Sequence, residues 1–233
     1  MTGWFYLGPD EWEAVLLSLR VSLVATFVSL PLGVFVAYLL ARKEFVGRSA
    51  LNALVHLPLV LPPVVTGYVL LVVFGRQGVL GAPLDFLGIG FSFRWTGAAL
   101  AAAIMAFPLM VRAIRLAIEA VDQGLEEAAA TLGATPIRVF LTVTLPLSLP
   151  GIVAGSVLAF AKAMGEFGAT ITFVANIPGE TRTIPSAIYT FLQVPGGETS
   201  VVKLVVFSVI LAFGALAVSE IMARRAKHRV GGA

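Results

Sequence analysis

The sequence has no cysteine, which removes disulfides, thiolate metal sites and cysteine nucleophiles at once. Histidine is almost as scarce. His56 and His228 are far apart and show no H-E-x-x-H or other ligand spacing, so no metal site is expected. Charge is thin as well: only 12% of the 233 residues are Asp, Glu, Lys or Arg, about half the share of a soluble domain. No G-x-x-x-x-G-K-[ST] run occurs. The stretch Gly155 to Lys162 lacks the second glycine and the hydroxyl residue, so the chain has no such loop for nucleotide phosphates and any ATP-derived energy must come from a partner. There is no G-x-S-x-G elbow either, and catalysis has no visible seat.

What is abundant is apolar: 58% of residues are hydrophobic, with a mean hydropathy of +0.96. The expected fold is an all-α integral membrane protein with one domain over residues 1–233 and a core of about 11–222. Val21 to Ala41 gives 21 residues without a charge, enough to cross a core of roughly 30 Å. Leu57 to Gly75, Trp95 to Val111, Leu145 to Ala175 and Leu204 to Val218 are four further candidate spans. Five is the plain count, and six if Ile184 to Val194 dips into the bilayer. Asp10, Glu11 and Glu13 precede the first run in place of a basic segment, which speaks against a cleaved signal peptide.

Five spans put the two ends on opposite sides. One set of loops and ends carries Arg42, Lys43, Arg48, Arg112, Arg115, Arg138, Arg224, Arg225, Lys227 and Arg229; the other carries Arg76, Arg94, Arg182 and Lys203. The richer side is cytoplasmic by the positive-inside rule, so the N-terminus is expected outside and the C-terminus inside. The basic tail, residues 223–233, is expected to anchor topology on anionic lipid and not to bind nucleic acid.

Prolines punctuate the spans, most densely in "LPLVLPPVVTG" (Leu57 to Gly67). A broken helix is tolerated in a membrane where it lines a cavity or packs on protein. Pro62, Pro63 and Thr66 are therefore candidates for the wall of a pathway.

Residues 115–146 form a cytoplasmic insertion between spans three and four. Arg115 to Leu132 is rich in helix formers, with Gly124 a weak point. Gly133 suits the residue past a helix end, where positive φ is cheap only for glycine. Thr135 and Pro136 read as the cap and first turn of a second helix. Glu126 and Glu127 belong in water, because burying them in lipid costs a few kcal/mol each. The segment lacks the broad apolar face of a helix resting on headgroups.

The spacing Glu127-Ala128-Ala129, three residues, Gly133, nine residues, Val143-Thr144-Leu145-Pro146 resembles the EAA loop of permease subunits of bacterial ABC importers. That family has isoleucine where this chain has Val143. The resemblance implies a coupling helix that docks on an ATP-hydrolysing subunit, with Glu126, Glu127, Ala128, Ala129, Gly133, Thr135, Pro136 and Arg138 as its contact and turn positions. "LPLVLPPVVTGYVLL", "FPLMVRAIRLAIEAVD", "GEFGATITFVANIPGETRTIPSAIYT" and "PGGE" extend the likeness to molybdate permeases from about Glu11 to Glu220. Sulfate permeases are the nearest relatives to confuse with them. Implied with it are a homodimer in the bacterial inner membrane, two cytosolic ATPases that bind the ATP and magnesium, and an external oxyanion-binding protein. No cofactor is expected in this chain.

Lys162 and Glu166 lie four apart within span four, and ionisable groups at such depth are functional candidates by default. A bare Glu166 would repel a dianion, so it must be paired, protonated or turned away, whereas Lys162 could help the anion cross. Ser156, Thr170 and Thr172 offer hydroxyls for weak, multiple contacts suited to a conduit. The external loop from Asn176 to Ser200 carries Glu180, Arg182, Tyr189 and Glu198, candidates for a gate or a docking surface. Two other classes fit less well. An ion-coupled transporter is disfavoured by the cytosolic loop and the lack of an internal repeat; a membrane enzyme is disfavoured by the lack of clustered reactive residues.

Overall fold

The computed structural model describes residues 6–230, with side chains as far as residue 217 and at Ile221. Every regular element in it is helical. The first span is much longer than its apolar run: α1 covers Pro9–Arg42, because the polar residues beyond each membrane boundary continue the same helix. Pro31 lies within it without ending it. The second span is not one helix. α2 (Arg48–Val60) and α3 (Pro63–Phe74) meet at Leu61 and Pro62 with a bend of 114°. Pro58 is accommodated inside α2, while Pro63 opens α3 at the position where a proline has no donor to lose. A short α4 (Gly81–Phe86) leads to α5 (Trp95–Glu119).

α5 is the centre of the bundle, its span more than half buried, packed against α1 and α8. Its buried stripe is largely small: Ala98, Ala101, Ala102 and Ala106 are almost fully covered. Small residues let backbones approach closely, which is how helices attract one another where lipid removes the hydrophobic drive. Met110, Ile114 and Ile118 fill the lower part of the same stripe.

The expected single helix from Arg115 to Leu132 is corrected. The chain breaks at Ala120–Asp122, and α6 (Gln123–Thr131) starts afresh with Asp122 capping it, its side chain accepting from Gly124 N at 2.8 Å. A cap that satisfies an orphan donor outweighs the mild propensity of the residues between. After the turn come α7 (Pro136–Val139), a π-turn over Phe140–Thr144, and α8 (Leu145–Met164), which run on as one rod.

The fourth span is corrected too. It stops at Met164, and α9 (Gly168–Val174) resumes after Gly165–Phe167. The chain leaves α9 through Ala175 at φ +63°, an uncommon conformation for a residue with a side chain. α10 (Ile184–Phe191) has only 8 residues and cannot cross alone, so no sixth span exists among the described residues. It packs on α1 and on α11 (Glu198–Val230). The tail cations Arg224, Arg225, Lys227 and Arg229 lie outside the described side chains.

Large apolar side chains such as Phe27, Val28, Phe35, Val60 and Phe213 stand exposed around the bundle. On a soluble protein so much exposed apolar surface would be a liability; around membrane helices it is the lipid-facing or partner-facing wall. Among the described residues four helices are long and apolar enough to cross, five with the bent pair.

Candidate functional site

Two places gather the sequence candidates, and they sit at different depths. The first is the end of the bundle where α1 and α5 finish. α6 has no buried residue; Glu127 and Ala128 are exposed and Ala129 is half-buried. Gly133 turns the chain at φ +86°, with its N–H donating to Ala130 O and the next N–H, of Ala134, to Ala129 O. A Cβ there would meet nothing within 4 Å, so the glycine is needed for its backbone angle and not for space. Thr135 caps α7, accepting from Arg138 N at 3.4 Å, and Pro136 follows at the first helical position. Gly133, Thr135 and Pro136 thus take the turn, cap and first-turn positions expected of them.

Glu126 behaves differently from its neighbours. Its carboxylate lies 3.1 Å from Arg42 Nε and accepts from Thr144 Oγ1 at 2.6 Å. The same arginine donates from Nη2 to Val121 O at 2.8 Å. Side-chain exposures of 8% for Arg42 and 17% for Glu126 make this a covered pair. It ties the end of α1, the break after α5, helix α6 and the turn before α8 into one knot. Sequence reasoning missed Arg42 and Thr144 in this role, since they are 84 and 18 residues from Glu126. It also missed Leu125, Leu132 and Ile137, which stand 51%, 89% and 72% exposed around the glycine turn. Together with the alanines they form an apolar patch on a helix that touches little of its own chain.

The second place lies inside the bundle, where the two broken spans cross at their breaks. α3 packs on α9. A Cβ on Gly67 would stand 2.5 Å from Ala169 O and 2.9 Å from Thr172 Cβ, so only glycine permits this approach. Gly168 lies against Pro63 in the same way. Just before α9, Glu166 is buried and accepts from Lys162 Nζ at 2.7 Å and from Ala169 N at 3.0 Å. The pair forms as the four-residue spacing suggests, although Glu166 falls beyond the helix end. Its charge is met by the ammonium and by the Ala169 amide in the first turn of α9. Lys162 keeps 30% of its side chain exposed.

The hydroxyl candidates are mostly engaged. Ser156 donates to Ile152 O, Thr170 to Phe167 O and Thr172 to Gly168 O. Thr66 Oγ1 is the exception: buried in the first turn of α3, it has no partner among the described residues. In the loop at the opposite end from α6, Glu180 accepts from Trp95 N at 3.4 Å and Arg182 donates to Asn176 Oδ1 at 3.2 Å. Tyr189 stacks at 5.3 Å on Phe167, at the break between α8 and α9. Glu198 opens α11. Among the described residues no group of His, Asp or Glu is placed to hold a metal.

Crossed broken helices within a multi-pass bundle, plus an uncovered helix held out at one end, are the architecture of a membrane transport subunit. The chain belongs to the family of binding-protein-dependent transport system inner membrane components, whose pattern it matches over residues 29–228. It is 61% identical over 226 residues to the molybdenum transport system permease protein ModB of Escherichia coli strain K12, covering 97% of this chain and 99% of that one. It is 54% identical to the protein of the same name from Haemophilus influenzae, covering 95% and 97%. Among solved structures, a bacterial ABC transporter involved in the import of alginate aligns with a TM-score of 0.73 at 19% identity, over 94% of this chain and 80% of that one. The MetNI methionine ABC transporter in an inward-facing form aligns with a TM-score of 0.68 at 18% identity, over 93% and 94%. At such identities the likeness is one of fold.

Proposed function

We propose that this chain is the permease subunit of an ATP-driven importer of molybdate, and of the similar tungstate. The observation that carries this reading is α6 with its glycine turn: a helix without a buried residue, fastened by its own Glu126 and presenting Glu127, Ala128, Leu125, Leu132 and Ile137 outward. A chain with no nucleotide-binding loop needs an external source of work, and this helix is the surface on which an ATPase subunit can push. The high identity to molybdenum permeases supports the cargo.

In this reading Glu127, Ala128, Ala129, Thr135, Pro136 and Arg138 make or shape the contact, Gly133 sets its angle, and Glu126 holds it to α1 and α8. The end bearing α6 faces the cytoplasm, where the cations of the sequence concentrate, and the N-terminus lies outside. Two copies of the chain enclose the pathway, with two ATPases below and an oxyanion-binding protein above. The path passes the crossing of α3 and α9, where Lys162 meets the dianion and Thr66 offers an unspent hydroxyl. The loop carrying Glu180, Arg182 and Tyr189 gates it or receives the binding protein.

A sulfate cargo is the competing reading, because a probable sulfate permease of Chlorokybus atmophyticus is also 36% identical over 185 residues. Reconstitution with the ATPase and separately loaded binding proteins decides. Molybdate- and tungstate-loaded proteins should stimulate ATP hydrolysis several-fold over sulfate-loaded ones. Equal stimulation by sulfate would overturn the cargo assignment, and no stimulation by any of them would overturn the importer reading.

A further inference from the structure

One cluster of cations has no role in the coupling helix or the crossing. Between α2 and α5, near the end that bears α6, a cleft of about 270 Å³ is lined by Asn52, His56, Arg112, Arg115, Leu116 and Glu119. Arg115 is fixed in place: Nε donates to Glu119 Oε1 at 2.7 Å and Nη1 to Asn52 Oδ1 at 3.2 Å. His56 Nδ1 donates to Asn52 O at 2.8 Å, which spends the ring's donor in the neutral imidazole and leaves the anion to the two arginines. Arg112 makes no hydrogen bond or ion pair among the described residues. Two guanidiniums face a single carboxylate, so the cleft carries an excess positive charge. Leu116 stands 59% exposed beside it, an apolar border to a polar site.

We propose that this cleft binds a tetrahedral oxyanion at the inner face of the membrane, with Arg112 as the closing donor and Arg115 as the preorganised one. Planar guanidinium forks match phosphate-like oxygens in pairs, and one held rigid by its neighbours loses little freedom on binding. The oxyanion has two sources with the same chemistry. One is the phosphoryl group of an anionic lipid, which basic pockets between membrane helices attract on the cytoplasmic side. The other is the cargo anion as it leaves. Because Arg115 and Asn52 already bridge α5 and α2, an anion held by Arg112 and Arg115 on α5 would brace the first half of the broken span through that bridge. The proposal rests on the importer reading for the membrane face the cleft opens on and, in the cargo arm, for the choice of anion. Binding is measured without transport, so either can fail alone.

The test uses the permease purified with its ATPase in nanodiscs. One arm measures retention of isotopically labelled molybdate in purely zwitterionic lipid. The other counts phosphatidylglycerol molecules retained in native mass spectra after exchange into zwitterionic lipid. Arg112→Gln should lower one of the two about tenfold, and the arm that falls names the source. Lys43→Gln, which removes an exposed cation outside the cleft, should change neither. Unchanged retention in both arms, or an equal fall with Lys43→Gln, overturns the proposal. Should Arg112→Gln not assemble, Arg112→Lys keeps the charge and removes the fork: a threefold or larger loss supports the site, and retention equal to wild type overturns it.

Discussion

Two ion pairs in this chain look alike in chemistry and differ in what they connect. Lys162–Glu166 at 2.7 Å is local, four residues apart, and bridges a single helix break. Arg42–Glu126 at 3.1 Å spans 84 residues and gathers the ends of four elements. Glu166 keeps a second donor in Ala169 N if the lysine goes. Val121 O has no such reserve if Arg42 goes, and Glu126 would keep only the threonine hydroxyl. In the proposed reading the local pair would tune the charge of a pathway, while the distant pair would hold the coupling helix in position.

The largest effect expected from breaking this contrast is at Arg42. Arg42→Ala should cost about 3–5 kcal/mol, the scale for a covered charge left without its partner. It should lower the thermal midpoint of the purified permease and abolish uptake. Exchanging the charges, with Arg42→Glu and Glu126→Arg together, should recover part of the stability. Next comes Gly133→Val, which forces a β-branched residue to φ > 0 at a strain of roughly 2 kcal/mol. The open space around Gly133 should let the dimer assemble, while substrate-stimulated ATP hydrolysis falls at least tenfold. Normal stimulation in that variant would detach the turn from coupling. Lys162→Gln is the mildest for stability, about 1–2 kcal/mol, because Glu166 keeps the amide of Ala169. Its mark should be on uptake, with a raised KM for the anion and a complex that still forms.

The same contrast explains what could be read from sequence. Thr135, Pro136 and Gly133 were legible because each acts through its own backbone and near neighbours. The break in the second span was legible as three close prolines, though not its place at Leu61–Pro62 or its angle. The helices outrun the apolar runs, as at Pro9–Arg20 in α1, and in α5 the third span continues without a break into the helix expected from Arg115. Asp122 carried a usable signal, a capping aspartate two before Gly124, yet the helix formers on both sides hid it. Arg42 carried none. It reads as an ordinary cation at a membrane boundary, and only tertiary packing brings it to Glu126. The crossing of α3 and α9 at Gly67 and Gly168 is likewise a property of the assembled bundle.

The absence of native cysteine makes the central claim directly measurable. Ala128→Cys places a single thiol on the exposed face of α6. Treatment with a membrane-impermeant maleimide should label it in inside-out vesicles stripped of the ATPase and not in right-side-out ones. Adding the ATPase back should protect it at least tenfold. Labelling from the outer face, or equal labelling with and without the ATPase, would contradict a motor-gripped helix.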